Sequence, residues 1–222
     1  SSGKVEVKYM TAKEEDILTS QNLIQQGTVI DVLLQSLIVD KTINVNELLI
    51  GDKNAIMIAA RILGYGKDYE FEYDGIEQKV DLSKLNPVKI DFENSPKGVN
   101  EFSYILPNSK RTITFKLLNG KDEKQIESEL KALRKISKTQ SSSLTTRLKK
   151  MILSVDGNSE KSFINNFVDN EFLSRDSLLF RQYLTKITPD MDMTTTVNDS
   201  NGKETEVVIP ITVRFFWPAT GI

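Results

Sequence analysis

Apolar positions along this chain repeat first with the period of a helix, then with that of a strand, and then run through both again. In YMTAKEEDILTSQNLIQQG, Ile17, Leu18, Leu23 and Ile24 supply one apolar side. Thr11 followed by Glu14 reads as a capping box, and Glu14, Glu15 and Asp16 sit in the first turn, where the helix dipole favours acids. After Gly27, Val29, Val32, Leu33, Ser36 and Leu37 of TVIDVLLQSLIV fall at helical spacing. The strongest pattern comes next, within Glu47–Gly66. Gly51 or Asp52 starts a helix there and Gly64 and Gly66 end it. Ile56, Ala59, Ala60 and Leu63 make one face, and Met57, Ile58 and Ile62 cover most of the rest. A helix apolar nearly all round is a buried helix, and this one is too short to span a bilayer.

From Lys67 the period changes to two. Tyr69, Phe71 and Tyr73 alternate with Glu70 and Glu72, Asp74-Gly75 makes a tight turn, and a return strand runs to about Leu82. PVKIDF, FSYILP and RTITFKLL read as three further strands. Asn119-Gly120 then opens a third long helix lined by Ile126, Leu130, Leu133 and Ile136, with acids early and bases late. TQSSSLTT is linker-like, and RLKKMILSV reads as a short helix ending near Asp156-Gly157-Asn158. Two more helices follow, with Ser159 and Ser174 as caps and Pro189 as a stop. A final hairpin turns at Asn201-Gly202 and runs into VRFFWP. Helices, strands, helices, strands is the order of an α+β fold, in which helical blocks alternate with small antiparallel hairpin regions around a buried helix near 52–64. The pattern divides at 118/119 into two helix-then-hairpin halves, or forms one continuous domain.

Composition narrows the chemistry. The 222 residues carry a net charge of −2, which favours neither nucleic acid nor an acidic membrane as a bulk partner. The polar start SSGKVEVK has no signal-peptide pattern, and no transmembrane run is visible. There is no cysteine, so disulfides and thiolate metal sites are excluded and a reducing compartment fits. There is no histidine either, which removes the usual general base and the usual transition-metal ligand. Catalytic residues, cofactors and metals are therefore not expected.

Four features could carry more than packing. Arg61 interrupts the buried helix. A buried guanidinium needs a carboxylate or several carbonyls, so it pairs with Glu14, Glu15 or Asp16, snorkels to the helix edge, or bonds backbone carbonyls. Lys131–Lys150 holds seven Lys or Arg and no acid, with no aromatic interleaved. A solvated face, or a patch docking an acidic neighbour, is the better reading than phosphate binding. Asp156–Glu160 echoes the opening of a calcium loop without its sixth-position glycine or terminal Glu, and reads as a turn. Asp190, Asp192 and Asp199 gather near one another in sequence with no spacing that fixes an acid/base pair.

MTAKEEDILTS, LLIGDKNAIMIAARILGYGKDYEF and the terminal VRFFWP together resemble a family of baseplate hub proteins from tailed bacteriophages with contractile tails of the T-even type. Some members carry Cys-x-x-Cys pairs on two hairpins, a zinc-ribbon arrangement. Here Phe71–Lys79 and Val197–Val207 contain no cysteine, so no metal is implied. What the resemblance implies is a non-enzymatic structural protein of the virion tail baseplate, or a factor that leaves before the tail matures. It would be present in the host cytoplasm during assembly, with other baseplate and tail proteins as partners and self-association left open. Phe215, Phe216 and Trp217 would then either bury in the domain's own core or anchor in a neighbouring subunit.

Overall fold

The computed structural model describes residues 4–88, 90, 98–136, 142–211 and 213–216. The fold is α+β, with helices and small antiparallel sheets of two and three strands, and divides into two compact units. The first comprises Ser1–Val45, Gly51–Val88 and Asp190–Ile222; the second comprises Asn46–Ile50 and Lys89–Pro189. The expected division at 118/119 falls inside the second unit.

In the first unit the opening helical stretch breaks into two pieces, α1 (Ala12–Thr19) and α2 (Gln21–Gln26), because Ser20 takes an extended backbone. Gly27 ends α2 in the left-handed region, as a glycine after a helix can without strain. α3 (Val29–Leu37) packs on α1 and sinks Leu33, Leu34 and Leu37 completely. α4 (Ile50–Tyr65) is the expected apolar helix, with Ile56, Met57, Ile58 and Ala60 buried, although Leu63 reaches solvent. Gly66 closes it, its N–H donating to the Ile62 carbonyl. β1 (Asp68–Tyr73) and β2 (Ile76–Asp81) pair antiparallel through the Asp74-Gly75 turn, both turn residues at positive φ. The C-terminal hairpin of the same unit, β6 (Thr194–Asn198) and β7 (Glu204–Val208), turns where expected. Its tip is tied to the first hairpin: the Asp74 carboxylate accepts from the Ser200 N–H and hydroxyl. The described part of VRFFWP does not continue as a strand. Val213–Phe216 coil into a 3-10 turn instead.

The second unit is built on a three-stranded antiparallel sheet of β3 (Phe102–Ile105), β4 (Thr112–Phe115) and β5 (Ile152–Val155), in that order. β5 corrects the expectation that RLKKMILSV is all helix. The helix α6 (Ser143–Met151) stops at Ile152, and the next four residues pair with β4, Ile113 opposite Val155. Ile152 and Val155 bury more as a third strand than as another helical turn, and β-branched residues suit the strand. α7 (Lys161–Asn166) runs into a π-helical turn over Phe167–Glu171, in which the Phe172 N–H reaches back five residues to the Phe167 carbonyl. α8 (Ser174–Ile187) lays Phe180 against the sheet, its ring 4.9 Å from that of Phe115 and edge-on to it. No side-chain cap bond forms at Ser159 or Ser174; the residues preceding the helices are Glu160 and Leu173. α5 (Gly120–Ile136) is long and amphipathic, yet only its first half is covered: Asp122 and Ile126 are buried, Leu130 half-buried and Leu133 exposed. The side chain of Ile136 lies outside the described residues. So do half of PVKIDF (89, 91 and 92), of which Pro87 forms an isolated bridge with Met191, and the start of the TQSSSLTT linker.

Candidate functional site

Sequence-distant polar and aromatic groups converge around α4 in the first unit. Arg61 is 4% exposed and meets no carboxylate among the described residues. Its Nη1 donates to the Gly66 carbonyl at 3.0 Å and its Nη2 to the Asp68 carbonyl at 3.1 Å. The guanidinium carbon lies 5.3 Å from the centre of the Tyr65 ring and 5.9 Å from that of Tyr69, and Nε is buried without a partner. The expected ion pair with Glu14, Glu15 or Asp16 is therefore replaced by the carbonyl arrangement. The reason is local: the chain reverses at Gly66 and presents two carbonyls to the guanidinium where α4 ends. Burial lowers the Arg61 pKa from its ordinary value, partly offset by the two tyrosines.

The three acids of α1 part company. Glu15 accepts from the Tyr65 hydroxyl at 3.1 Å, so it reaches Arg61 only through that ring, and burial with this bond pushes the Tyr65 pKa up to about 12. Asp16 is exposed; its backbone carbonyl receives the Thr19 hydroxyl. Glu14 is fully buried. It accepts from Lys8 Nζ at 2.8 Å, the Thr11 N–H at 2.9 Å, the Thr11 hydroxyl at 2.6 Å and the Ser36 hydroxyl at 2.7 Å. Burial alone would raise its pKa, but these bonds together outweigh it and hold the carboxyl well below the usual range. The one polar member of the α3 stripe, Ser36, was the sequence signal for this partner.

On the other side of α4, Tyr69 is buried and its ring stands edge-on to Phe215 at 4.9 Å, while its hydroxyl donates to the Pro210 carbonyl at 3.2 Å. Phe215 and Phe216 are both fully buried, 5.2 Å apart and nearly perpendicular. They belong to the core of their own unit. Trp217 lies outside the described residues.

The remaining candidates resolve as structure. Asp156 and Gly157 form a left-handed turn, and the Asp156 carboxylate accepts from Arg111 Nε and the Thr112 N–H, both at 2.8 Å. Arg111 also reaches Glu171 at 2.6 Å and lies over the rings of Phe167 and Phe163, which binds the π-helical turn to the sheet. Asp190 accepts from the side chain of Asn54, 136 residues earlier in α4, and from the Met191 N–H, while Asp192 accepts from Thr194 and Asp199 from the Asn201 and Lys203 N–H groups, each of these two closing its own turn. A carboxylate that sequence reading passed over, Asp176, is completely buried at the start of α8. It accepts from the Asn108 N–H and side-chain amide at 2.8 Å and from the Ser109 N–H at 2.9 Å, pinning the β3–β4 turn. In the basic run, Lys131 pairs with Glu127, Arg147 grips Glu123 with two bonds, and Lys149 pairs with Asp169; Arg134 and Lys135 are exposed. Among the described residues no three acids, histidines or cysteines group to hold a metal ion, and no helix is long and apolar enough to cross a membrane.

Compared with protein-family models, with curated proteins and with solved structures, the chain finds no match.

Proposed function

We propose that this chain is a non-catalytic structural component of a phage tail baseplate hub that works by burying surface against other tail proteins. One observation carries the reading. The three stretches that resemble the hub family lie far apart in sequence, yet within the first unit they close on one another around α4. Glu15 of the first meets Tyr65 of the second, a Cβ added to Gly64 of the second would meet Met10 Sδ of the first at 3.2 Å, and Tyr69 of the second meets Phe215 of the third. Residues that share one core form one module, so their joint resemblance is a resemblance of a packed unit rather than of three unrelated runs. Among the described residues the buried carboxylates, Glu14, Asp122 and Asp176, each accept from backbone N–H groups and so hold backbone in place, a scaffold's use of charge.

Mass spectrometry of purified virions of the encoding phage tests this. The chain is expected at a fixed stoichiometry with the baseplate proteins. Its absence from virions together with loss of tails on deletion would favour the transient assembly factor. Normal tails without the gene would overturn both.

A further inference from the structure

The second half of α5 is an amphipathic helix whose apolar stripe is only partly covered by the described residues. Ile126, Leu130 and Leu133 recur at intervals of four and three residues, the spacing of a coiled-coil seam. Ile126 is buried by its own unit, Leu130 half-covered, and Leu133 37% exposed, so the seam continues past the point where the unit stops covering it. We propose that this face docks the same face of a second copy of the chain, the two helices antiparallel.

Charge and coverage together select that occupant. Acids occupy the middle of the helix, Glu127 and Glu129, and bases the last turn, Arg134 and Lys135. An antiparallel partner turns this gradient on itself, which is the self-complementarity a two-fold contact requires. With Leu130 over the second copy's Leu133, the positions flanking the seam set Glu127 against the second copy's Arg134, twice by symmetry. Among the described residues the ion pair this displaces is the Glu127–Lys131 contact, exposed at both ends and therefore weak. Two antiparallel overlaps of about ten residues, some 15 Å of helix, bury less than the ~1,200 Å² of a stable dimer. The association is therefore weak and dependent on concentration and salt, and tightens only where copies are held together. It goes beyond the hub reading and stands on α5 alone, so its failure leaves that reading untouched.

Analytical ultracentrifugation of the full chain, from micromolar to about millimolar, tests it with three variants whose folding is checked by circular dichroism. The wild type is expected to dimerise reversibly, more weakly as salt rises. Leu133→Asp removes the dimer, Glu127→Arg weakens it about tenfold or more, and Glu127→Arg with Arg134→Glu restores it to within a few-fold. A chain monomeric throughout, a dimer indifferent to Leu133→Asp, or a charge swap that fails to rescue overturns the proposal. So does a monomer whose Leu133→Asp variant drops out of tail complexes, which would give the face to another protein.

Discussion

Arg61 lies over the ring of Tyr65, one helical turn further along α4, and the Tyr65 hydroxyl in turn donates to Glu15. The charge in the middle of the buried helix is thus held by ring faces and two carbonyls, and its link to the acids of α1 is indirect. The order of mutational costs follows. Arg61→Ala leaves the Gly66 and Asp68 carbonyls without their donor and opens a cavity between two rings, which costs about 2–3 kcal/mol. No carboxylate is stranded, so the cost stays below the 3–5 kcal/mol of a broken buried ion pair. Glu15→Ala removes only a bond at a half-exposed hydroxyl and costs about 0.5–1 kcal/mol. Urea midpoints of the two variants and of the double variant check this. A coupling between positions 15 and 61 above about 1 kcal/mol would show that the two charges interact directly.

Glu14 behaves differently, because four donors converge on it and two of them, Lys8 and Ser36, come from other segments. Glu14→Gln keeps the shape but points an amide at groups that donate. The expected loss is about 2–3 kcal/mol at neutral pH, the range for leaving buried donors unsatisfied beside a neutral acceptor. Ser36→Ala removes one of the four and costs about 1 kcal/mol. Thermal unfolding with both variants checks the ratio; a Ser36→Ala variant with an unchanged midpoint would mean that the bond from α3 contributes nothing to holding Glu14.

How much of this was legible in the chain depends on what kind of partner each group has. The block order, the apolar α4, both hairpin turns and the Thr11–Glu14 box follow from periodicity and turn residues, which are local. β5 was hidden because ILSV follows α6 without a turn residue and satisfies either period. Only its pairing with β4 makes it a strand. The break at Ser20 and the π-helical turn carry no glycine or proline to mark them. The partners of Arg61 were unreadable for another reason: every residue offers a carbonyl, so only carboxylates stand out as candidates in a sequence. Asp176 looks like an ordinary first-turn acid, and its donors lie 67 and 68 residues away in the Asn108-Ser109 turn.

Phe215 supplies the third prediction. Its ring is fully buried between Tyr69 and Phe216, inside the unit that contains α4. Phe215→Ala should lower stability by about 3–4 kcal/mol, the usual cost of a large buried aromatic. Removing residues 215–222 should lower it further rather than spare folding and abolish assembly selectively. Chemical denaturation of both variants decides it; a truncation with an unchanged midpoint would return these aromatics to the role of an anchor for a neighbour.

Acid should destabilise the protein through Glu14 and Asp176, two of the buried carboxylates, and the sign is fixed by the direction of their shifts. At Asp176 burial raises the pKa, but bonds from Asn108 and Ser109 overcome it and hold the group at about 2. Glu14 is likewise depressed, with burial again outweighed by Lys8, Thr11 and Ser36. An unfolded carboxyl takes up its proton near pH 4. Below that point the unfolded chain therefore binds more protons than the folded one, and stability falls as pH falls. The contribution is complete above about pH 5 and is lost progressively as pH drops through 4 toward the folded values. Asp176→Asn and Glu14→Gln should each start from a lower stability at neutral pH and show a shallower decline on the acid limb, converging on the wild type as pH approaches about 2. Urea titrations at stepped pH check the convergence. Parallel curves for wild type and variants would mean that neither carboxylate titrates differently in the folded chain, and that the bonds drawn to them do not hold the ionised form.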